Sequence, residues 1–288
     1  MFWQHEFVQY ANDPFGSWPA ERPLQGQKLV DRLSALTATH ALDRGAMLAR
    51  LVREAELRTA ATLPTLFLIN CGSSGSHWIE AMLSELPGVH ACGEVYVPPT
   101  AQERLPTADA ENRAGFLNAL HLLHLENPAV RIEPAGVLIN SAHSWGPHDL
   151  MGSPARAAFL LRDPADIVLS RTFRKPRLRR HLQPTASDAA YMEQNIVYVE
   201  KFYRTALRRK AAIHIRYEDA LIEPAVPLAM LAELLGIEAD RSALELIGRR
   251  YAADRQRTDR QALSNLYRGP RQDAPDRHLE QVRERDAE

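Results

Sequence analysis

The sequence predicts an α/β fold in which helices flank a central, mostly parallel sheet. Three observations carry that prediction. Short apolar segments, each long enough for one buried strand, recur along the 288 residues. Longer segments between them place Leu, Val, Ile and Ala at helical spacing among charged residues. One apolar segment also runs directly into a Gly/Ser loop and then a helix, the layout of a phosphate-binding βα unit. A hydrophobic share of 45% is enough to bury a substantial core. No internal repeat or low-complexity linker divides the chain. The expectation is one domain overall, with an N-terminal arm and helices over residues 1–60 packed on an α/β domain over 61–288.

Residues 1–26 are rich in aromatics, Pro and Gly and read as an irregular arm whose Phe and Trp side chains pack on the domain. From Lys28 to about Ala60 the apolar residues follow an amphipathic helical period, with a break expected near Gly45. Leu66–Asn70 is the first strand, followed by Cys71–His77 as the loop and by a helix bearing Trp78, Ile79, Met82 and Leu83. Gly136–Asn140 and Ala157–Leu161 are further strands. Arg162, Asp163 and Pro164 end the latter and open a helix reaching about Phe173. Ala186–Arg209 reads as a long helix and Ile213–Arg216 as a fourth strand. Helices follow near Pro224–Leu235 and Ser242–Ala253. The last twenty residues, charged and poor in apolar anchors, read as a surface segment.

The 35 basic and 36 acidic side chains leave a formal charge of −1. That balance argues against bulk binding to nucleic acid or an anionic membrane surface. Cys71 and Cys92 are the only cysteines, and neither they nor the histidines show a metal-ligand spacing, so no metal is implied. No signal-peptide pattern opens the chain and no apolar run is long enough for stable membrane insertion. A cytoplasmic location is the default expectation, and oligomeric state is not legible.

The loop Gly72-Ser73-Ser74-Gly75-Ser76-His77 suits an anion. Glycines let the backbone approach a ligand, while successive amides and the helix dipole favour negative charge. No Lys follows Gly75, so the pattern of a common P-loop kinase or NTPase is absent. The bland alternative is a βα turn that binds nothing. The second segment is Arg162–Arg171. Asp163 is a good N-cap, Pro164 suits the first helical position, and Ile167, Val168 and Leu169 pack the helix on the sheet. Arg162 and Ser170 are placed to reach one phosphate; otherwise this is a capped core helix with an incidental Arg.

These two segments, in this order, resemble the nucleotide motifs of sulfotransferases that use 3′-phosphoadenosine-5′-phosphosulfate (PAPS). Ser74, Gly75, Ser76 and Trp78 match the family's 5′-phosphosulfate loop position by position. Gly72 stands where the family has Pro, Ser73 where it has Lys or Arg, and His77 where it has a second hydroxyl residue. The resemblance implies a P-loop-like, sulfotransferase-like fold with PAPS as co-substrate. It implies that the loop, Gly72 to Trp78, binds the 5′ end and that Arg162 and Ser170 hold the 3′-phosphate. Tyr217, in Tyr217-Glu218-Asp219, is similar to the family tyrosine that approaches adenine. Tyr267-Arg268-Gly269 resembles a late segment closing over the 3′-phosphate, with Arg268 as the ligand and the family Lys missing.

Sulfuryl transfer to a hydroxyl needs a base. Glu94, in Cys92-Gly93-Glu94, resembles the base of carbohydrate-type, tyrosyl-protein and bacterial lipid-type members. His143, in Ser141-Ala142-His143, resembles the base of small-molecule members. Glu94 ranks first, His143 second, and the two could cooperate. The basic run Arg174–His181 is either a solvated face or a rim that steers anions. The acceptor, a small molecule or carbohydrate among the possibilities, is not legible. Two other readings stay open: a non-catalytic binder of PAPS or its desulfated product PAP, and a kinase-like nucleotide enzyme.

Overall fold

A computed structural model describes residues 2–16, 23–125, 136–143, 146–152, 155–173, 185–209 and 213–251. Arg268 and the segments around the basic run at 174–181 and the C-terminal twenty residues lie outside the described residues. The chain is α/β, built on a five-stranded sheet of order β2-β3-β1-β4-β5. The strands are β1 Thr65–Ile69, β2 Val89–Ala91, β3 Val137–Ala142, β4 Ala155–Leu161 and β5 Ile213–Arg216. Within it β2 pairs β3 in parallel, Val89 opposite Val137, and β4 pairs β5 in parallel, Ala158 opposite Ile213. Both central strands are buried along their length, as a parallel sheet covered on both faces requires. The short β2 is a fifth strand beyond the four that the sequence announces.

The chain divides into two compact units. One comprises residues up to Phe67 together with Ser84–Arg156; the other comprises Leu68–Leu83 and the described residues from Ala157 on.

In the first unit, helices α1 (Phe2–Asn12), α2 (Pro23–His40), α3 (Arg44–Ala60), α5 (Pro99–Arg104), α6 (Ala110–Leu123) and α7 (Gly146–Met151) accompany β2 and β3. The expected irregular arm is corrected here: residues 2–12 are helical. Trp3, Phe7, Tyr10 and Ala11 recur on one face and are buried, with the Phe7 ring edge-on to Phe116 of α6. The helix break expected near Gly45 falls at Ala41–Asp43. Ala41 takes a positive φ of 51°, and Asp43 caps α3 by accepting from the Ala46 amide at 2.8 Å. Helix α6 has no counterpart among the elements that the sequence announces. Asp109 caps it through the Asn112 amide at 2.7 Å, and Ala114 to Leu123 are all buried. With every side covered, it has no polar face to reveal its period.

In the second unit, α4 (Ser76–Leu83) follows the loop after β1, and α8 (Pro164–Phe173) follows β4. Then come α9 (Asp188–Arg208), β5, α10 (Tyr217–Ile222), α11 (Ala225–Leu235) and α12 (Arg241–Arg250). Helix α8 packs along α9, and the two carry the polar residues described next. Asp163 takes the predicted N-cap role, its carboxylate accepting from the Ala165 amide at 2.8 Å and, more weakly, from Asp166 at 3.3 Å.

Candidate functional site

The loop of the second unit is shaped by three residues in the left-handed region: Gly72 (φ 81°), Ser73 (57°) and Gly75 (78°). Ser73 is the costly one, because a Cβ disfavours that region by roughly 1 kcal/mol or more. The turn is set from both sides. Asn70, buried at the end of β1, accepts from the Gly72 amide at 2.8 Å and donates to the Leu68 carbonyl at 3.0 Å. The Ser74 hydroxyl donates to the Gly72 carbonyl at 3.2 Å. The Gly75 carbonyl accepts from the amides of Trp78 and Ile79, both at 3.1 Å, and so starts α4. The amides of Ser76 and His77 in that first turn have no acceptor within the helix and are the kind that hold an anion.

A Cβ at Gly75 would lie 2.5 Å from the Tyr217 ring, so only glycine fits. Tyr217 is also edge-on to Trp78, centroids 6.0 Å apart, and lies under the Arg162 guanidinium at 4.9 Å. The indole N–H of Trp78 donates to the Tyr251 carbonyl at 2.8 Å, which fixes the ring. Tyr217 thus seals one side of the loop.

Arg162 and Ser170 both meet the loop at Ser73. Arg162 Nη1 donates to the Ser73 carbonyl at 2.9 Å across 89 residues of sequence, and the Ser170 hydroxyl donates to the Ser73 hydroxyl at 3.1 Å. Arg162 Nη2 pairs with Asp166 at 3.1 Å, while its buried Nε has no hydrogen-bond partner among the described residues. The sequence did not single out Tyr203, whose hydroxyl bonds both backbone groups of Arg162, accepting from its amide at 2.9 Å and donating to its carbonyl. Burial pushes that phenol above its ordinary pKa. His77 instead sits 3.5 Å from Glu80 on its own helix.

Glu94 and His143, rivals for one role in the sequence, are in direct contact within the first unit. His143 Nε2 lies 3.2 Å from Glu94 Oε1. Tyr96 donates its hydroxyl to Glu94 Oε2 at 3.0 Å and lies 3.5 Å from His143 Nδ1. Lys28 holds the backbone of the pair, donating to the Glu94 carbonyl at 2.8 Å. Both side chains are about a third exposed or less (31% and 27%), but the Nε2 atom itself is closed off from solvent. Tyr96 had no signal in the sequence beyond its place two residues after Glu94. Beside His143 and Tyr96 opens a cavity of about 580 Å³. Val95, Val97, Pro106 and Leu150 give it apolar walls, and Arg113 and Asp149 give it charge. Near it lie the short helices α5 and α7, whose Gln102, Gly146, Pro147, Asp149 and Leu150 line the cavity.

Most of the described site residues follow the carboxyl ends of strands, with Trp78 inside α4 and Ser170 inside α8. Glu94 comes after β2, His143 after β3, the loop after β1, Arg162 after β4 and Tyr217 after β5. That is where ligands bind in parallel α/β sheets.

Neither a protein-family model nor a curated protein matches the sequence. Among solved structures, the crystal structure of mouse sulfotransferase SULT7A1 complexed with PAP is similar at a TM-score of 0.44 and 15% identity, over 68% of this chain and 67% of that one.

Proposed function

We propose that the chain is a PAPS-dependent sulfotransferase that moves a sulfuryl group to a hydroxyl or amine of a small-molecule or carbohydrate acceptor. The observation that carries this reading is the meeting of two motifs at Ser73: Arg162 and Ser170 from the helix after β4, and the left-handed loop after β1. An isolated Gly/Ser turn needs neither a distant Arg with an unmet buried Nε nor a serine hydroxyl aimed at it. Both groups suit a nucleotide bearing phosphate at its 5′ and 3′ ends.

PAPS supplies the sulfuryl group. Its S–O bond to the 5′-phosphate breaks, the acceptor oxygen or nitrogen forms the new bond to sulfur, and PAP leaves. The acceptor's proton passes to the Glu94 carboxylate. Glu94 suits that role better than His143 because His143 Nε2 faces Glu94 and is closed to solvent. His143 and Tyr96 hold the carboxylate in place, and the adjoining cavity takes the acceptor's body. The loop amides and the first turn of α4 hold the charge that builds on the leaving phosphate.

The test begins with thermal stabilisation by PAP, AMP and ATP. PAP at a hundred times its Kd contributes about 2.7 kcal/mol, and AMP, without the 3′-phosphate, contributes less. In Arg162→Ala the preference for PAP over AMP falls by about tenfold or more. Equal stabilisation by ATP and PAP would sink the reading in favour of a kinase-like enzyme. An acceptor screen with radiolabelled PAPS then separates an enzyme from a mere binder.

A further inference from the structure

Three basic side chains stand around the loop, and one of them has no carboxylate partner among the described residues. Arg162 is paired with Asp166 at 3.1 Å, and His77 lies 3.5 Å from Glu80. The third, Arg171, is the residue after Ser170 and is buried, with 8% of its surface exposed. Its Nε donates to Asn195 Oδ1 at 3.0 Å, its Nη1 donates to the Cys71 carbonyl at 2.8 Å, and its guanidinium lies over the Tyr198 ring at 4.4 Å. Asn195 is oriented by donating to Thr172 at 3.2 Å, whose hydroxyl in turn donates to the Val168 carbonyl at 2.7 Å. Every one of these partners is neutral, and no carboxylate among the described residues pairs with Arg171.

Charge on a buried guanidinium surrounded by neutral groups is screened weakly. The carbonyl it holds belongs to the peptide whose other side, the Gly72 amide, is held by Asn70 at 2.8 Å. Arg171 therefore fixes the entry to the left-handed turn and puts positive charge directly behind it. We propose that Arg171 is a positioning residue that adds, from behind the loop, a positive charge that no carboxylate among the described residues offsets. In that role it favours an anionic group on the loop amides. This rests on the nucleotide reading given above and names what charges its phosphate end.

Calorimetric titration of the full chain with PAP tests it in three variants. Arg171→Lys keeps the charge and is expected to bind within about threefold of wild type. Arg171→Gln removes it and is expected to bind about tenfold or more weakly. Asn195→Asp keeps the acceptor for Arg171 but sets a carboxylate against it at the loss of the donation to Thr172, and is expected to lose about tenfold in affinity while a cooperative melting transition shows that it stays folded. A purely structural Arg171 gives the opposite pattern: the Lys and Gln variants weaken alike and Asn195→Asp binds as wild type does. That pattern overturns the proposal. If Arg171→Gln does not fold, Asn195→Asp decides alone. A wild-type chain that binds no PAP would instead fail the nucleotide reading itself, an outcome distinct from tight wild-type binding with indifferent variants.

Discussion

The loop of the second unit and the Glu94–His143 contact of the first are built by different means. The loop is backbone work: three left-handed residues, amides of a first helical turn, and side chains that mostly hold carbonyls in place. The Glu94 group is side-chain work, in which a carboxylate, a phenol and an imidazole meet beside a cavity. Backbone geometry of this kind binds charge and discriminates little else, whereas side chains move protons and can be exchanged without disturbing the turn. The two regions should therefore fail differently when altered.

The sharpest separation is expected from Glu94→Gln. Gln keeps an oxygen to accept from Tyr96, and Lys28 still holds the backbone carbonyl, so the fold should survive. Losing a general base typically costs about 10²–10⁴-fold, so sulfuryl transfer from labelled PAPS should fall by about a thousandfold while PAP affinity stays within about twofold. A parallel loss of both would show that the two regions are not separable, and undiminished transfer would move the base elsewhere.

The reverse failure is expected from Gly75→Ala. The new Cβ would stand 2.5 Å from the Tyr217 ring, on a backbone at φ 78°. Gly88 supplies the control, since it has a similar φ of 73° with nothing within 4 Å of an added Cβ. Both substitutions incur about 1–2 kcal/mol of left-handed strain, but only Gly75→Ala must displace the ring that seals the loop. PAP affinity should fall by about a hundredfold in Gly75→Ala and hardly at all in Gly88→Ala. Equal losses would mean that strain, not the contact with Tyr217, governs the loop.

The same contrast governs what could be read from the sequence. The Gly/Ser loop and the Arg162–Ser170 segment were legible because each is encoded in consecutive residues, with glycines, an N-cap and a Pro at fixed offsets. Glu94 and His143 were legible only through their resemblance to bases of different sulfotransferase types. Nothing local says that residues 94, 96 and 143 touch, so the two read as ranked candidates that could also cooperate. Arg171 ends an apolar helix, where a basic residue reads as solvated. Its burial depends on Asn195 and the Cys71 carbonyl, 24 and 100 residues away. Helix α1 did carry its period in Trp3, Phe7, Tyr10 and Ala11, and the surrounding Pro and Gly masked it. Helix α6 carried none, being buried on all sides.

Acid offers the mildest way to test the contrast, because both strongly shifted histidines belong to the first unit. His121 and His124 lie buried on and just after α6, and each has its pKa pushed down from the ordinary 6.5 to about 3. Burial is the main cause, followed by the positive charge of Arg58 for His121 and of Lys28 for His124. Since the folded values are depressed, the unfolded chain takes up these protons first. Their contribution is intact above about pH 6.5 and is lost as pH falls toward 3, at about 1.4 kcal/mol per histidine per pH unit. That is a tenfold shift in the folding equilibrium for each group. Chemical denaturation at pH 7.5 and 5.5 should therefore show a clear loss of stability at the lower pH. In His124→Gln the difference between the two pH values should shrink by about half, whatever that substitution does to the absolute stability. A wild-type chain equally stable at both pH values would mean that the two imidazoles reach solvent or already carry their protons. The packing of α6 against its neighbours, on which the first unit's side-chain site is founded, would then be looser than the geometry requires.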